Sequence, residues 1–201
     1  MNIWIGVLLL SQLFNGKDLT GWEHVGPGRF VIEDNLLKSE GGMGLLWYTG
    51  NKIGDSIIRV VYKTAGQKPA NSGVFIRIPD MPTEPWMPVN RGYEVQIDNS
   101  ADEYHTSGVL YSFTRALAKP EKAGEWNTLE ITLDGPRTIV TLNGVKVTDY
   151  TEGQPAPPKR ESYEPDRGPR PLEGYIGIQN HGKNDVVFFK EISVTPLPGK
   201  R

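Results

Sequence analysis

Short stretches in which apolar and polar residues alternate recur along this chain, and glycine and proline separate them. The chain holds 23 Gly and 16 Pro in 201 residues, and both residue types disfavour helix interiors. Side chains two positions apart on a strand share a face, so the alternation predicts β-strands rather than helices. Strands are predicted at 30–33, 36–39, 45–48, 56–63, 72–78, 93–98, 108–112, 128–134, 138–143, 145–149, 174–179 and 186–195.

Turn signals and loop lengths indicate how these strands are organised. Asn143 and Gly144 stand between two apolar runs, and this dipeptide favours the two-residue turn of a β-hairpin. Two Pro-rich connections, 79–90 and 152–173, have the length that is typical of functional lids or of linkers. Too few strands follow the second connection to form a core of their own, so we expect a single domain. The pattern predicts an all-β fold, a two-sheet β-sandwich of the jelly-roll kind with long Pro-rich loops.

Charge and cysteine content narrow the classes of function. The formal net charge of −2, from 22 basic and 24 acidic residues, gives no electrostatic footprint for binding nucleic acid. The chain has no cysteine, which excludes disulfides, thiolate nucleophiles and cysteine-based zinc sites. The apolar run at 3–10 is too short to span a bilayer, so no transmembrane span is expected. Three interpretations of residues 1–12 stay open: a remnant or atypical export segment, a buried first strand, or a wrongly assigned start.

The stretch RGYEVQIDNS, residues 91–100, carries a row of polar side chains. On a strand, Glu94, Gln96 and Asp98 share one face. Two carboxyls and an amide in a row are consistent with the floor of a site or with a solvated sheet surface. Carboxyls two residues apart on a strand are also compatible with the separations used in glycoside hydrolysis.

Other polar residues could face the same way. Arg77 projects from an apolar run, where its guanidinium needs either the surface or a polar site. Gln179 and His181 share one side of a later strand, and His105 lies just before the run that contains Tyr111. Histidine titrates near neutral pH and therefore suits general acid–base work, although a lone histidine is more often structural.

A metal site is a further alternative. Carboxylate and imidazole groups together suit several divalent cations, so Glu94 or Asp98 with His105 or His181 could hold one. No tight ligand spacing in the sequence supports such a set. We therefore expect either no cofactor or a divalent cation.

Several motifs occur here in one order, and together they resemble the 3-keto-disaccharide hydrolase domain family, formerly described as a domain of unknown function. The resemblance covers residues 13–197, which we take as the single domain, and it implies a concanavalin A-like, LamG-like jelly roll. The motifs are LFNGKDLTGWE, NSGVFIR, GYEVQIDN, HTSGVLY, GEWNTLEITLDG, LNGVKV and GYIGIQNHG followed by VFFKEISVTPL.

The resemblance also implies an activity. Enzymes of this kind act on glycosides whose sugar is oxidised at C3, which acidifies the proton at C2. A base removes that proton, the aglycone leaves from C1 by β-elimination, and water can then add, so that the net result is hydrolysis. The resemblance further implies a bacterial protein that is periplasmic or secreted, although the chain shows neither a clear export signal nor a lipoprotein cysteine.

Roles can be matched to candidate residues on this basis, with alternatives left open. His105 or His181 is the expected base, and Arg77 or a bound cation holds the enolate oxygen. Glu94 or Asp98 either ligates that cation or acts as the acid. The expected substrate-binding residues are Gln96, Tyr111 and Gln179 for hydroxyl groups and Trp86 for stacking on a sugar ring.

Two alternatives to an enzyme are a non-catalytic, lectin-like carbohydrate-binding module and an interaction domain that binds a protein through residues 152–173. The oligomeric state is not predicted.

Overall fold

A computed structural model describes residues 10–66, 70–99 and 102–199. It contains thirteen strands and one short helix. The strands are β1 (Ser11–Gln12), β2 (Trp22–Val25), β3 (Arg29–Glu33), β4 (Leu36–Glu40), β5 (Gly44–Tyr48), β6 (Ser56–Thr64), β7 (Asn71–Ile78), β8 (Tyr93–Asp98), β9 (Asn127–Asp134), β10 (Arg137–Leu142), β11 (Val145–Thr151), β12 (Tyr175–Asn180) and β13 (Val187–Pro196), and the helix is α1 (Met87–Arg91).

The strands form two antiparallel sheets, which confirms the predicted two-sheet, jelly-roll sandwich. An eight-stranded sheet has the order β11-β10-β9-β6-β13-β4-β3, with β1 paired to β13. A five-stranded sheet has the order β2-β5-β12-β7-β8. The main core lies between the sheets, where Ile58 and Ile131 from the larger sheet pack with Val74, Val95 and others from the smaller one. No helix in the described part of the chain is long and apolar enough to cross a membrane.

The other face of the five-stranded sheet is also covered. A second apolar cluster forms there, with Leu45, Trp47 and Phe75 from the strands and Val89 from α1. The Pro-rich connection between β7 and β8 therefore packs on this face instead of extending into solvent. This arrangement encloses the outer face of the smaller sheet and makes it the place where a site can form.

The predicted strand at 108–112 is irregular in the structure. Its backbone donates hydrogen bonds to β8, from Gly108 N to Gln96 O and from Tyr111 N to Glu94 O. Within the described residues, the only regular β-bridge of this segment pairs Val95 with Leu110. Gly108 and Ser112 both have positive φ, 89° and 56°, which ends the extended conformation at each end of the segment. The segment nevertheless covers the free edge of β8.

Three further differences from the prediction concern short elements. Strand β2 was missed, because Trp22–Val25 is brief and follows a turn. Helix α1 begins inside a predicted loop. Pro88 lies in its first turn, where the amide hydrogen that proline lacks would have no partner within the helix. Of the segment 1–12, residues 1–9 lie outside the described residues, and the remainder contributes β1. The interpretation of that segment stays a prediction.

Candidate active site

The polar row on β8 forms the floor of a cavity. Tyr93, Val95 and Ile97 point into the core between the sheets, so the alternating residues point to the opposite, outer face. Although they lie on that face, Glu94, Gln96 and Asp98 are all buried, because loops cover them. Of the two alternatives for this row, the burial excludes a solvated sheet surface and agrees with the floor of a site.

The cavity has a volume of about 450 Å³, within the range of pockets that hold small molecules. Eight of the nine candidate residues from the sequence line it, together with four that sequence reasoning did not select. The lining residues are Met43, Asn71, Trp86, Val89, Glu94, Gln96, Asp98, His105, Tyr111, Tyr163, Gln179 and His181.

Glu94 has the most unusual environment on the floor. Burial, helped by the nearby Asp98 carboxylate, raises the pKa of Glu94 from its ordinary value of 4.5 to about 8, although a hydrogen bond from Gln179 opposes the shift. Gly73 on β7 makes this position available, because any Cβ there would collide with the Glu94 carboxyl group. Glu94 is therefore largely protonated at neutral pH and can donate a hydrogen bond or a proton.

A chain of amides fixes the rest of the floor. Gln96 Nε2 donates to Asn71 Oδ1 over 3.3 Å, and Asn71 Nδ2 donates to Asp98 Oδ2 over 3.2 Å. Ser107 Oγ accepts a hydrogen bond from Asp98 N at 2.8 Å, which holds the end of β8. Among the described residues, Gln96 Oε1 and Gln179 Oε1 are buried without a hydrogen-bond partner. Such acceptors suit ligand hydroxyl groups.

Each of the two histidines in the cavity is held by an aspartate. His105 Nδ1 lies 2.9 Å from Asp102 Oδ1, and His181 Nδ1 lies 2.9 Å from Asp185 Oδ2. An aspartate at Nδ1 orients the ring and directs Nε2 toward its reaction partner. The cavity therefore contains two oriented imidazoles, as well as a protonated carboxyl.

The connection between β11 and β12 closes the cavity near His105. Glu164 is 2% exposed, and its Oε1 lies 3.9 Å from His105 Nε2. Its other oxygen accepts hydrogen bonds from Arg167 Nη2 at 3.0 Å and from Arg160 N at 3.1 Å. Arg160 also reaches Asp102 Oδ2 at 3.1 Å. The loop is thus tied to the aspartate that orients His105.

Arg77 does not line this cavity, and the prediction that it binds substrate is wrong. Its guanidinium is fully buried and donates hydrogen bonds to Pro171 O at 2.9 Å and to Gly135 O at 2.7 Å. The cause is a bulge in β7: Ile78 pairs with Tyr175 but Phe75 with Gly177, so β7 holds one extra residue. With φ of 55°, Arg77 turns away from the face on which simple alternation had placed it.

A metal site is not apparent in the geometry. Within residues 10–66, 70–99 and 102–199, no group of three His, Asp or Glu side chains is arranged to hold a metal ion. Glu94, Asp98, His105 and His181 line one cavity but do not form such a group.

Sequence reasoning missed several residues of the site. Asp102 and Asp185 lie three residues before and four residues after their histidines, so local spacing offered a signal. Asn71 begins β7 one residue before the alternating run, which also offered a signal. Tyr163 and Glu164 offered none, because their loop has no periodicity that would indicate its path.

Comparison with known proteins agrees with this architecture. The family described as the 3-keto-alpha-glucoside-1,2-lyase-like domain matches residues 10–195. No curated protein sequence matches significantly.

Solved structures with the same fold include proteins related to carbohydrates. A Parabacteroides distasonis protein named as a candidate glycosyl hydrolase superposes with a TM-score of 0.77 and 23% identity, over 94% of each chain. The carbohydrate-binding module CBM66 from Bacillus subtilis has a TM-score of 0.60 and 13% identity, over 86% of this chain and 93% of that one. A B. subtilis protein of unknown function with a galectin-like fold has a TM-score of 0.61 and 13% identity, over 94% of each chain. At these identities the structures show a shared fold.

Proposed function

The chain belongs to the 3-keto-alpha-glucoside-1,2-lyase-like domain family, and on that basis we propose that it is an enzyme that cleaves 3-keto-glycosides, including 3-keto-disaccharides. The observation that carries the proposal is the cavity itself. A buried carboxyl, Glu94, with a pKa near 8 lies on its floor, and His105 and His181, each oriented by an aspartate, lie beside it. A buried carboxyl group with a raised pKa that shares one cavity with oriented imidazoles is typical of acid–base catalysis.

The proposed reaction is a β-elimination. A base takes the C2 proton, and the C–H electrons form an enolate with the C3 ketone. The ketone then reforms, a C1–C2 double bond forms, and the C1–O bond breaks. The leaving oxygen takes up a proton, which gives a 2-hydroxy-3-keto-glycal and the free aglycone. Addition of water across the new double bond completes a net hydrolysis.

The residues divide between these steps. A histidine whose Nδ1–H is donated to its aspartate has a free lone pair on Nε2, which makes His105 or His181 the base. Protonated Glu94 is the group that can give a proton to the leaving oxygen. Tyr111 keeps its proton, because burial and the nearby Glu94 raise its pKa, and it can donate a hydrogen bond to the enolate oxygen. A neutral donor, Tyr111, thus takes the place of Arg77 in holding the enolate oxygen.

The deciding experiment follows the C2 hydrogen. Turnover of a 3-keto-disaccharide in D₂O should give a reducing 3-keto-sugar with deuterium at C2, because water adds to the glycal after the original proton has left. NMR of the products, with a no-enzyme sample to correct for spontaneous exchange, reads this out. A product that keeps its C2 proton, or equal cleavage of the unoxidised disaccharide, would contradict the proposal.

A non-catalytic sugar-binding module is the second candidate, and one observation favours it. Trp86 and Tyr163 are exposed aromatic side chains at the same cavity, an arrangement that suits binding to sugar rings without chemistry. Such a module has no need for a buried carboxyl with a raised pKa. Equal affinity for plain and 3-keto-glycosides, without product, would favour the module.

We also propose that the protein is periplasmic or secreted, because its resemblance to the family implies export. The interaction-domain alternative has less support, because the loop between β11 and β12 is held against the protein itself. Arg170 donates to Gly92 O at 2.8 Å and to Asn90 O at 3.0 Å.

A further inference from the structure

Two large apolar aromatic side chains at the cavity are exposed to solvent. Trp86 is 47% exposed and Tyr163 is 59% exposed, and these are the aromatic residues among the large exposed apolar side chains of the described chain. Both line the same cavity. Exposure of large aromatic surface costs free energy in water, so its concentration at one cavity indicates a surface that a ligand covers.

The two rings lie on different walls. Pro85, next to Trp86, packs near Gly26 and the Met43 backbone, at the side of the cavity that β5 forms. Tyr163 lies close enough to Tyr111 to affect its pKa, and Tyr111 belongs to the segment beyond β8. Because β12, β7 and β8 lie between these sides in the sheet order, the cavity has one aromatic wall at each side of its polar floor.

Tyr163 is held in place despite its exposure. The next residue, Glu164, is 2% exposed and is bound by Arg167 Nη2 at 3.0 Å. Arg167 in turn donates to Ser112 Oγ at 3.1 Å and to Pro157 O at 2.7 Å. Glu164 also accepts a hydrogen bond from Arg160 N at 3.1 Å, so the backbone on both sides of Tyr163 is anchored, which lowers the entropy cost of holding this residue at the cavity.

The position of Glu94 on the cavity floor indicates which side of the cavity holds the reacting sugar and which side holds the leaving group. Glu94 reaches across Gly73 toward β12, where Gln179 donates a hydrogen bond to it. The reacting sugar, which needs Glu94, therefore lies toward β12 and Trp86. The space between Glu94 and Tyr163 remains for the group attached at C1.

We infer that Tyr163 forms a subsite for the aglycone and selects substrates whose leaving group is itself a ring, either a second sugar or an aryl group, over alkyl glycosides. This inference rests on the proposed 3-keto-glycoside cleavage, whose substrate class it narrows. The flat ring of Tyr163 covers the apolar face of a pyranose or an aryl ring, whereas a methyl group is too small to make that contact.

Kinetics with three leaving groups test the inference. Tyr163→Ala should lower kcat/KM about 5- to 20-fold for the phenyl 3-keto-glucoside and for a 3-keto-disaccharide. For the methyl 3-keto-glucoside, kcat/KM should stay within twofold. Tyr163→Phe keeps the ring and should retain most of the activity on all three. Leu172→Ala, on the same loop and 53% exposed but outside the cavity lining, is the matched control and should change none of them.

An equal loss for all three leaving groups would overturn the inference, because it indicates a general effect on the site. No loss for any of them would overturn it as well.

Binding measurements keep the inference testable if the proposed chemistry is absent. In calorimetric titrations with unoxidised glucosides, the wild-type protein should bind phenyl glucoside more tightly than methyl glucoside, and Tyr163→Ala should remove most of that difference. Failure of the deuterium experiment together with this preference would reject the enzyme and keep the subsite. Equal affinity for the two glucosides would reject the subsite whatever the outcome with D₂O.

Discussion

Glu94 and Arg77 are two buried ionisable residues on neighbouring strands of one sheet, and their surroundings differ. Arg77, on β7, is fully buried, and its guanidinium donates hydrogen bonds to Pro171 O and Gly135 O. Glu94, on β8, borders a cavity, and its pKa is raised to about 8. Both residues drew attention in the sequence for the same reason, as ionisable groups among apolar ones.

The difference between them lies in where the polar partners come from. Carbonyl oxygens of two other segments accept hydrogen bonds from the two terminal nitrogens of Arg77, which ties the sheets together, whereas its buried Nε has no partner among the described residues. Glu94 has one amide donor and a neighbouring carboxylate, so its environment disfavours the charged form. A buried ionisable group at a cavity, whose charged form the protein does not stabilise, is the better candidate for chemistry.

The largest expected effect is on activity when Glu94 loses its proton-donating ability. Glu94→Gln keeps the size and the neutral state of the side chain but cannot transfer a proton to the leaving oxygen. We expect kcat/KM for a 3-keto-disaccharide to fall by about 10² to 10⁴-fold, the usual contribution of a general acid. Steady-state kinetics on folded protein, checked by circular dichroism, measure this.

Glu130→Gln is the matched control for that experiment. Glu130 lies on β9 of the other sheet, where its side chain is 42% exposed and pairs with Arg59 at 3.0 Å. Its replacement should leave kcat/KM unchanged. Full activity of Glu94→Gln would remove Glu94 from the proposed acid role.

Arg77 should show the opposite profile, with a loss of stability and little effect on catalysis. Arg77→Met leaves the carbonyl groups of Pro171 and Gly135 without their donor, and we expect the free energy of unfolding to fall by about 3 kcal/mol. The remaining folded protein should keep kcat/KM within about threefold, since the residue does not border the cavity. Urea denaturation and kinetics at low temperature test the two parts.

An exposed arginine provides the comparison. Arg59, whose side chain is 39% exposed, pairs with Glu130 and Glu191 on the larger sheet. Arg59→Met should cost less than about 1 kcal/mol, because exposed ion pairs contribute little. Equal losses for both variants would mean that the buried contacts of Arg77 carry no special weight.

The raised pKa of Glu94 predicts a pH dependence of stability. Between its ordinary value of 4.5 and about 8, the unfolded chain has released this proton while the folded protein still holds it. The contribution of Glu94 to the free energy of unfolding therefore falls as pH rises through this window, by up to about 1.4 kcal/mol per pH unit. Glu94→Gln lacks this contribution and should gain on the wild type as pH rises. Parallel stability curves for the two proteins between pH 5 and 8 would contradict the burial argument.

The smallest expected effect tests the space that Glu94 occupies. Gly73→Ala places a Cβ against the Glu94 carboxyl group, which must then move. We expect kcat/KM to fall about tenfold, with less effect in a Glu94→Gln background, because the displaced group is then already inactive. A double-mutant cycle measures this coupling. Strict additivity would show that Gly73 acts through the strand and not through Glu94.

Local patterns in the sequence were enough to locate most of the floor. Alternation over residues 93–98 assigned Glu94, Gln96 and Asp98 to one face, and the same rule brought Gln179 to that face of the sheet. The rule failed at Arg77, because a single extra residue in β7 inverts the facing of the side chain, and alternation contains no signal for a bulge.

The contribution of the long loops to the cavity was predicted only in part. The Pro-rich connections were recognised as functional candidates, and Trp86 was selected from one of them. Tyr163 and Glu164 were not selected from the other, because a loop's path depends on long-range contacts such as those of Arg167 with Ser112 and of Arg160 with Asp102. Residues 1–12 and their proposed role in export stay a prediction.

The sequence by itself determined the all-β class, the main strands and the polar face of β8, because each follows from contacts between residues that are close along the chain. Tertiary structure alone decided that Glu94 is buried enough to hold a proton at neutral pH, that Arg77 serves the scaffold, and that Tyr163 lines the cavity. Those outcomes depend on which distant segments cover the sheet. Burial, and with it the ionisation of a carboxyl group, is a property of the packed molecule and not of a stretch of residues.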